Sequence, residues 1–160
     1  MTQPSPQRPA PLIAASAKPY WDAARDGVLL VAYCAECGHL TQYGRPFCEV
    51  CLAAPMSWRP ASGTGHVYSY TVIRRSRDPF FAERVPYVLG IVELDEGIRM
   101  LTEIVGLAPD DVRIGMPVRV CFEPAGDCSV PLFEPAPGTQ MGASSDSWSG
   151  TNVTENSPSP

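Results

Sequence analysis

Long apolar runs, lysine and histidine are what this chain lacks. No stretch of 18 apolar residues occurs in its 160 residues, which argues against a membrane-spanning helix. The opening MTQPSPQRPAPL has no charged region leading into an apolar core, so no secretory leader is expected and the setting is read as reducing and cytoplasmic. Lys18 is the single lysine beside eleven arginines, and the formal charge is −5. A general nucleic-acid binder needs a net basic face to neutralise phosphates, so that class is disfavoured. Only two histidines, His39 and His66, are present, and neither has a recognisable nucleophile and carboxylate in a catalytic arrangement. Ser62-Gly-Thr-Gly65 lacks the spacing and the Lys of a phosphate-binding loop and reads as a turn.

Cysteine is present, and in a pattern. Cys34-x2-Cys37 is followed ten residues later by Cys48-x2-Cys51. Each pair can form a tight turn whose sulfurs point at one centre, and the interval lets the chain fold back. The four thiolates can therefore close a tetrahedron around one metal ion. Zinc is the expected metal, with iron bound as in rubredoxin the competitor. Four sulfurs leave no open position for water or substrate, so the site reads as structural. Disulfides are the competing reading, disfavoured by the regular spacing and the reducing setting. Cys121 and Cys128 then remain as small apolar packing residues.

Both ends are poor in apolar residues and rich in Pro, Ser and Gly, so residues 1–15 and 136–160 are expected to be disordered. Residues 16–27 read as a helix, with Pro19 near its start and Gly27 as terminator. Its bulky residues, Tyr20 and Trp21, sit at one end, so it must dock on the rest of the fold or on a partner. Residues 28–59 hold the cysteine module, and 60–135 the main domain. There, strands are expected over 66–73, 87–94, 98–105 and 116–122, with Leu132 and Phe133 closing the sheet. In the first of these, Val67, Ser69, Thr71 and Ile73 alternate with Tyr68, Tyr70 and Val72. Asp95-Glu96-Gly97 supplies a hairpin turn. About five short strands and little helix match a small antiparallel barrel of the oligonucleotide/oligosaccharide-binding (OB) type, with an open sandwich as runner-up.

The connection 74–86 is long for a hairpin and mixes Arg74, Arg75, Arg77 and Arg84 with Phe80 and Phe81. Arginine forks suit phosphate groups, and exposed phenylalanine suits an apolar ligand or a partner surface. The bland alternative is a solvated loop with its phenylalanines tucked onto the barrel.

In order along the chain, Tyr20-Trp21-Asp-Ala-Ala-Arg-Asp-Gly27, Cys34-Ala-Glu-Cys37-Gly38, Arg45-Pro46-Phe-Cys48-Glu-Val-Cys51 and Ser62-Gly63-Thr-Gly65-His-Val67-Tyr68-Ser69-Tyr70 resemble the DUF35 family. Pro86-Tyr87-Val88 and Ile114-Gly115-Met116-Pro117-Val118 fit as well, so the likeness covers about 19–134. Glu49 and Leu52 depart from it, standing where the family usually has Pro and Gly. The resemblance implies a mainly β protein: a short N-terminal helix, a rubredoxin-like zinc ribbon on Cys34, Cys37, Cys48 and Cys51, then a five-stranded OB-fold barrel. It also implies a non-catalytic accessory subunit of a thiolase-fold partner, a thiolase or a lipid-transfer-protein-like aldolase of steroid side-chain degradation. Such a subunit supports assembly and helps accommodate an acyl-CoA ester. The alternative from a different class is a single-stranded nucleic-acid module, with Tyr68, Tyr70, Phe80 and Phe81 stacking bases.

Overall fold

The computed structural model describes residues 6–42 and 44–139. Tyr43 and the chain from 140 onward, Trp148 included, lie outside the described residues, so most of the expected C-terminal tail does too.

Helix α1 (Lys18–Arg25) begins with Pro19 in its first turn and stops where Gly27 turns to φ +78°, a conformation cheap only for glycine. Its apolar end docks in cis. Tyr20 is buried edge-on to Trp21, with ring centres 5.1 Å apart, and lies 6.0 Å from the ring of Trp58.

Next comes a three-stranded antiparallel sheet in the order β2 (Leu40–Thr41), β1 (Leu30–Tyr33), β3 (Ser57–Pro60). The cysteine turns project from its ends. Leu29 and Val31 belong to the same core as the barrel's Val88, Val92, Ile104 and Phe133, so this module shares the barrel's hydrophobic interior.

The barrel contains β4 (Thr64–Ile73), β5 (Tyr87–Leu94), β6 (Arg99–Ile104), β7 (Pro117–Ala125) and β8 (Cys128–Pro135), closed in the order β4-β5-β6-β8-β7. The β5–β6 hairpin turns through Gly97 at φ +79°. The closing β4–β7 pair sets Gly65 opposite Val118, and Gly65 also lies against the β5 backbone at Glu93, where a side-chain carbon would not fit.

One expectation fails at β4. Simple alternation puts Val67, Ser69, Thr71 and Ile73 on one face, but the register slips between Val67 and Ser69. Tyr68 is the extra residue of a bulge. It reverses the phase, so Val67 and then Tyr70 and Val72 pack on the core while Ser69 and Thr71 turn outward opposite Ile91 and Leu89.

The N-terminus also differs from expectation. Residues 6–14 form no regular structure and most are exposed, yet Arg8, inside the segment expected to be disordered, is only 8% exposed and bonds to the barrel. The physical reason is Glu103 on β6, a carboxylate placed between buried neighbours that needs a cation.

Candidate functional site

The two cysteine turns repeat one geometry. Gly38 N–H donates to the Cys34 carbonyl at 2.9 Å, and Leu52 N–H to the Cys48 carbonyl at 3.0 Å. Both fifth residues take positive φ, +74° at Gly38 and +62° at Leu52. Leucine thus adopts the glycine conformation, and the second turn keeps its shape despite the substitution. The four sulfurs all lie within 4.8 Å of one another, with Cys34–Cys51 at 3.5 Å and Cys37–Cys48 at 3.6 Å. A tetrahedral ion with metal–sulfur bonds of about 2.3 Å separates its ligands by about 3.8 Å, so the cage fits zinc after a small relaxation. The Cys51 and Val50 backbone N–H groups hold the Cys48 thiol down at about 6, whereas Cys37, despite the His39 backbone N–H that lowers it, is pushed up to about 12 by hydrogen bonds with its sulfur neighbours and by burial, so the cage does not hold four thiolates without a cation.

His39 does not join the sulfurs. Its Nε2 lies 3.1 Å from Glu49 Oε1, and Arg45 reaches the same carboxylate at 3.4 Å. His66 is exposed, 3.6 Å from a Glu93 that already holds Arg99 at 2.7 Å. Neither histidine is paired with a nucleophile among the described residues. Burial pushes the Cys121 and Cys128 thiols up, in keeping with packing roles.

The 74–86 connection divides in two. Arg74, Arg75 and Arg77 are exposed and make no hydrogen bond or ion pair with other described residues. Beyond them, Asp78 caps the short helix α2 (Pro79–Ala82) by accepting from the N–H groups of Phe80 and Phe81. Phe80 is 4% exposed and lies under Arg84, whose guanidinium is 3.8 Å from the ring centre. Arg8 stacks at 5.0 Å from Phe80 and 5.4 Å from Phe81. It donates to Glu103 at 2.5 Å, and twice to Glu123 at 2.6 and 3.0 Å. Arg84 holds the other Glu123 oxygen at 2.7 Å. The N-terminal strap thereby pins the aromatic half of the loop and leaves the basic half free. Tyr68 has Arg99 3.5 Å from its ring centre but stays 42% exposed, whereas Phe80 is buried and Tyr70 packs on the core, so no row of free rings is left to stack bases.

Sequence reasoning missed Arg8 as a functional residue, and it missed the cleft between α1, β3 and the barrel. This cleft encloses about 310 Å³ and is lined mainly by apolar groups, among them Tyr20, Trp21, Trp58, Leu101 and Pro131. The docked helix was the available signal. Tyr20 and Trp21, crowded at one end of a helix with little apolar face of its own, needed an apolar surface to dock on.

A closed four-cysteine ribbon joined through one core to an OB barrel defines a class: zinc-ribbon/OB-fold proteins with a structural metal site. Residues 21–57 match the ChsH2 rubredoxin-like zinc ribbon domain, and 58–123 match the ChsH2 C-terminal OB-fold domain. The chain belongs to the DUF35 family. It is 38% identical to a probable enoyl-CoA hydratase alpha subunit from Thermomonospora curvata, over 84% of this chain and 42% of that protein. It is 34% identical to the 3-oxo-4,17-pregnadiene-20-carboxyl-CoA hydratase alpha subunit of Mycobacterium tuberculosis, over 72% and 36%. The chain thus spans about two fifths of these relatives' length. A chain of the solved Ltp2-ChsH2(DUF35) aldolase superposes with a TM-score of 0.72 at 37% identity, covering 79% of this chain and 98% of that one. No helix among the described residues is long and apolar enough to cross a membrane.

Proposed function

We propose that this chain is a non-catalytic accessory subunit of a thiolase-fold enzyme, a thiolase or lipid-transfer-protein-like aldolase, acting on bulky acyl-CoA esters such as steroid ones. The observation that carries this reading is the near-complete overlap with a chain of the Ltp2-ChsH2(DUF35) aldolase. The hydratase activity of the two longer relatives is not carried over, because most of their length lies outside the match.

Three features support the role. Cys34, Cys37, Cys48 and Cys51 would hold zinc with every coordination position filled, so the ion would supply rigidity and no Lewis-acid chemistry. The apolar cleft reaches the lower end of the size range of small-molecule sites and suits part of an acyl group or its pantetheine arm. The free guanidinium groups of Arg74, Arg75 and Arg77 suit the coenzyme A phosphates.

The test is purification of the tagged chain from its own host, with mass-spectrometric identification of the bound protein and turnover assays of the chain alone and of the complex. A thiolase-fold partner with turnover only in the complex is expected. Robust acyl-CoA turnover by the isolated chain would overturn the reading.

A further inference from the structure

Three large apolar side chains crowd the second cysteine turn and face solvent: Phe47 at 48% exposure, Val50 at 64% and Leu52 at 71%. The core does not use them. Leu52 is also the one non-glycine residue with positive φ among the described residues. A branched side chain pays a steric penalty there that glycine avoids, and Gly38 avoids it at the equivalent position of the first turn. Leu52 therefore carries two unfavourable features at once, a positive-φ backbone held by its N–H bond to the Cys48 carbonyl and an exposed apolar side chain that no other described residue covers. Strain of this kind persists where function requires the side chain.

From this we infer that the 47–52 turn is a docking knob that inserts into the thiolase-fold partner. The inference rests on the subunit reading above. The occupant's chemistry follows from the surroundings. The turn carries Glu49, the first turn carries Glu36, and four thiolates around a divalent ion add two further negative charges, against Arg45 alone on the positive side. The matching surface is an apolar hollow flanked by arginine or lysine, which would bury the three side chains and complement the charge of the metal centre. The metal's part is to hold the turn rigid, so that little ordering is needed on binding.

Leu52→Gly separates this role from a structural one. Glycine accepts the left-handed conformation freely, so the variant should keep its metal and melt at the same temperature as wild type or slightly higher. Its affinity for the purified thiolase-fold partner should nevertheless fall at least about tenfold by titration calorimetry, as expected for loss of a buried anchor. Val50→Ser should weaken binding in the same direction. If the wild-type chain binds no thiolase-fold protein, the subunit reading fails and takes this inference with it. If wild type binds and both variants bind equally well, the knob is refuted while the subunit reading stands. A clear loss of thermal stability in Leu52→Gly would show that the leucine serves the fold, and would overturn the inference. So would a wild-type homodimer that the variant dissolves while its affinity for the partner is unchanged.

Discussion

Replacing Arg8 with Ala should destabilise the protein far more than its place in a proline-rich terminus suggests. Arg8 bridges Glu103 and Glu123, and the side chains of Arg8 and Glu103 are 5% and 11% exposed. Removing one partner of a buried pair costs about 3–5 kcal/mol, because the other charge is left without compensation. Glu123 is more open and keeps Arg84, so the lower end, about 3 kcal/mol, is the better figure. For a chain of this size that corresponds to a fall in Tm of roughly 6–12 °C by calorimetry. Adding Glu103→Gln should recover a large part of the loss, since the stranded charge disappears with it. Deleting residues 1–15 should cost about as much as the single substitution. The pH dependence has a definite sign. Burial raises the Glu123 pKa, but hydrogen bonds from Arg8 and Arg84 outweigh it and leave the carboxyl below its ordinary 4.5. Its contribution is therefore complete above that value and lost as pH falls through the lowered one. The gap between wild type and Arg8→Ala should narrow in acid. A variant melting within about 1 °C of wild type at pH 7 would refute the reasoning.

The metal centre should contain one equivalent of zinc by elemental analysis, without the visible absorption of an iron tetrathiolate. Cys37→Ser or Cys48→Ser should lower both metal content and Tm, because a closed site contributes directly to folding. Changing Arg74, Arg75 and Arg77 together to Ala should leave Tm and partner assembly unchanged while weakening the complex's affinity for a CoA ester at least about tenfold, measured by calorimetry, if these arginines hold phosphate.

The metal ligands were legible because their chemistry is written in spacing alone, and β5 was legible to the residue because the apolar run Tyr87–Leu94 leads straight into the Asp95-Glu96-Gly97 turn. The phase of β4 was not, because a single bulged residue at Tyr68 reverses a period of two without leaving any mark in composition. Helix α2 is only four residues long and is set by the Asp78 cap, a local signal hidden within an arginine-rich stretch. The strap was least legible. Arg8 meets partners 95 and 115 positions away, and although Glu103 amid apolar neighbours signals the need for a cation, nothing local says which of eleven arginines supplies it. The 74–86 segment is the connection between β4 and β5, as its composition suggested, but its division into free arginines and a pinned aromatic pair depends on that same distant contact.

Every strand of the barrel has a neighbour on both sides, but the closing contacts are short, three residue pairs between β4 and β7 and one between β6 and β8, so backbone edge is free only beyond them. Away from those stretches, whatever docks on the barrel must be recognised through side chains, one position at a time. Substitutions on the outer face can then redirect such a subunit from one enzyme to another without any strand having to be re-paired, and the fold can serve as a fixed mount whose address is rewritten residue by residue.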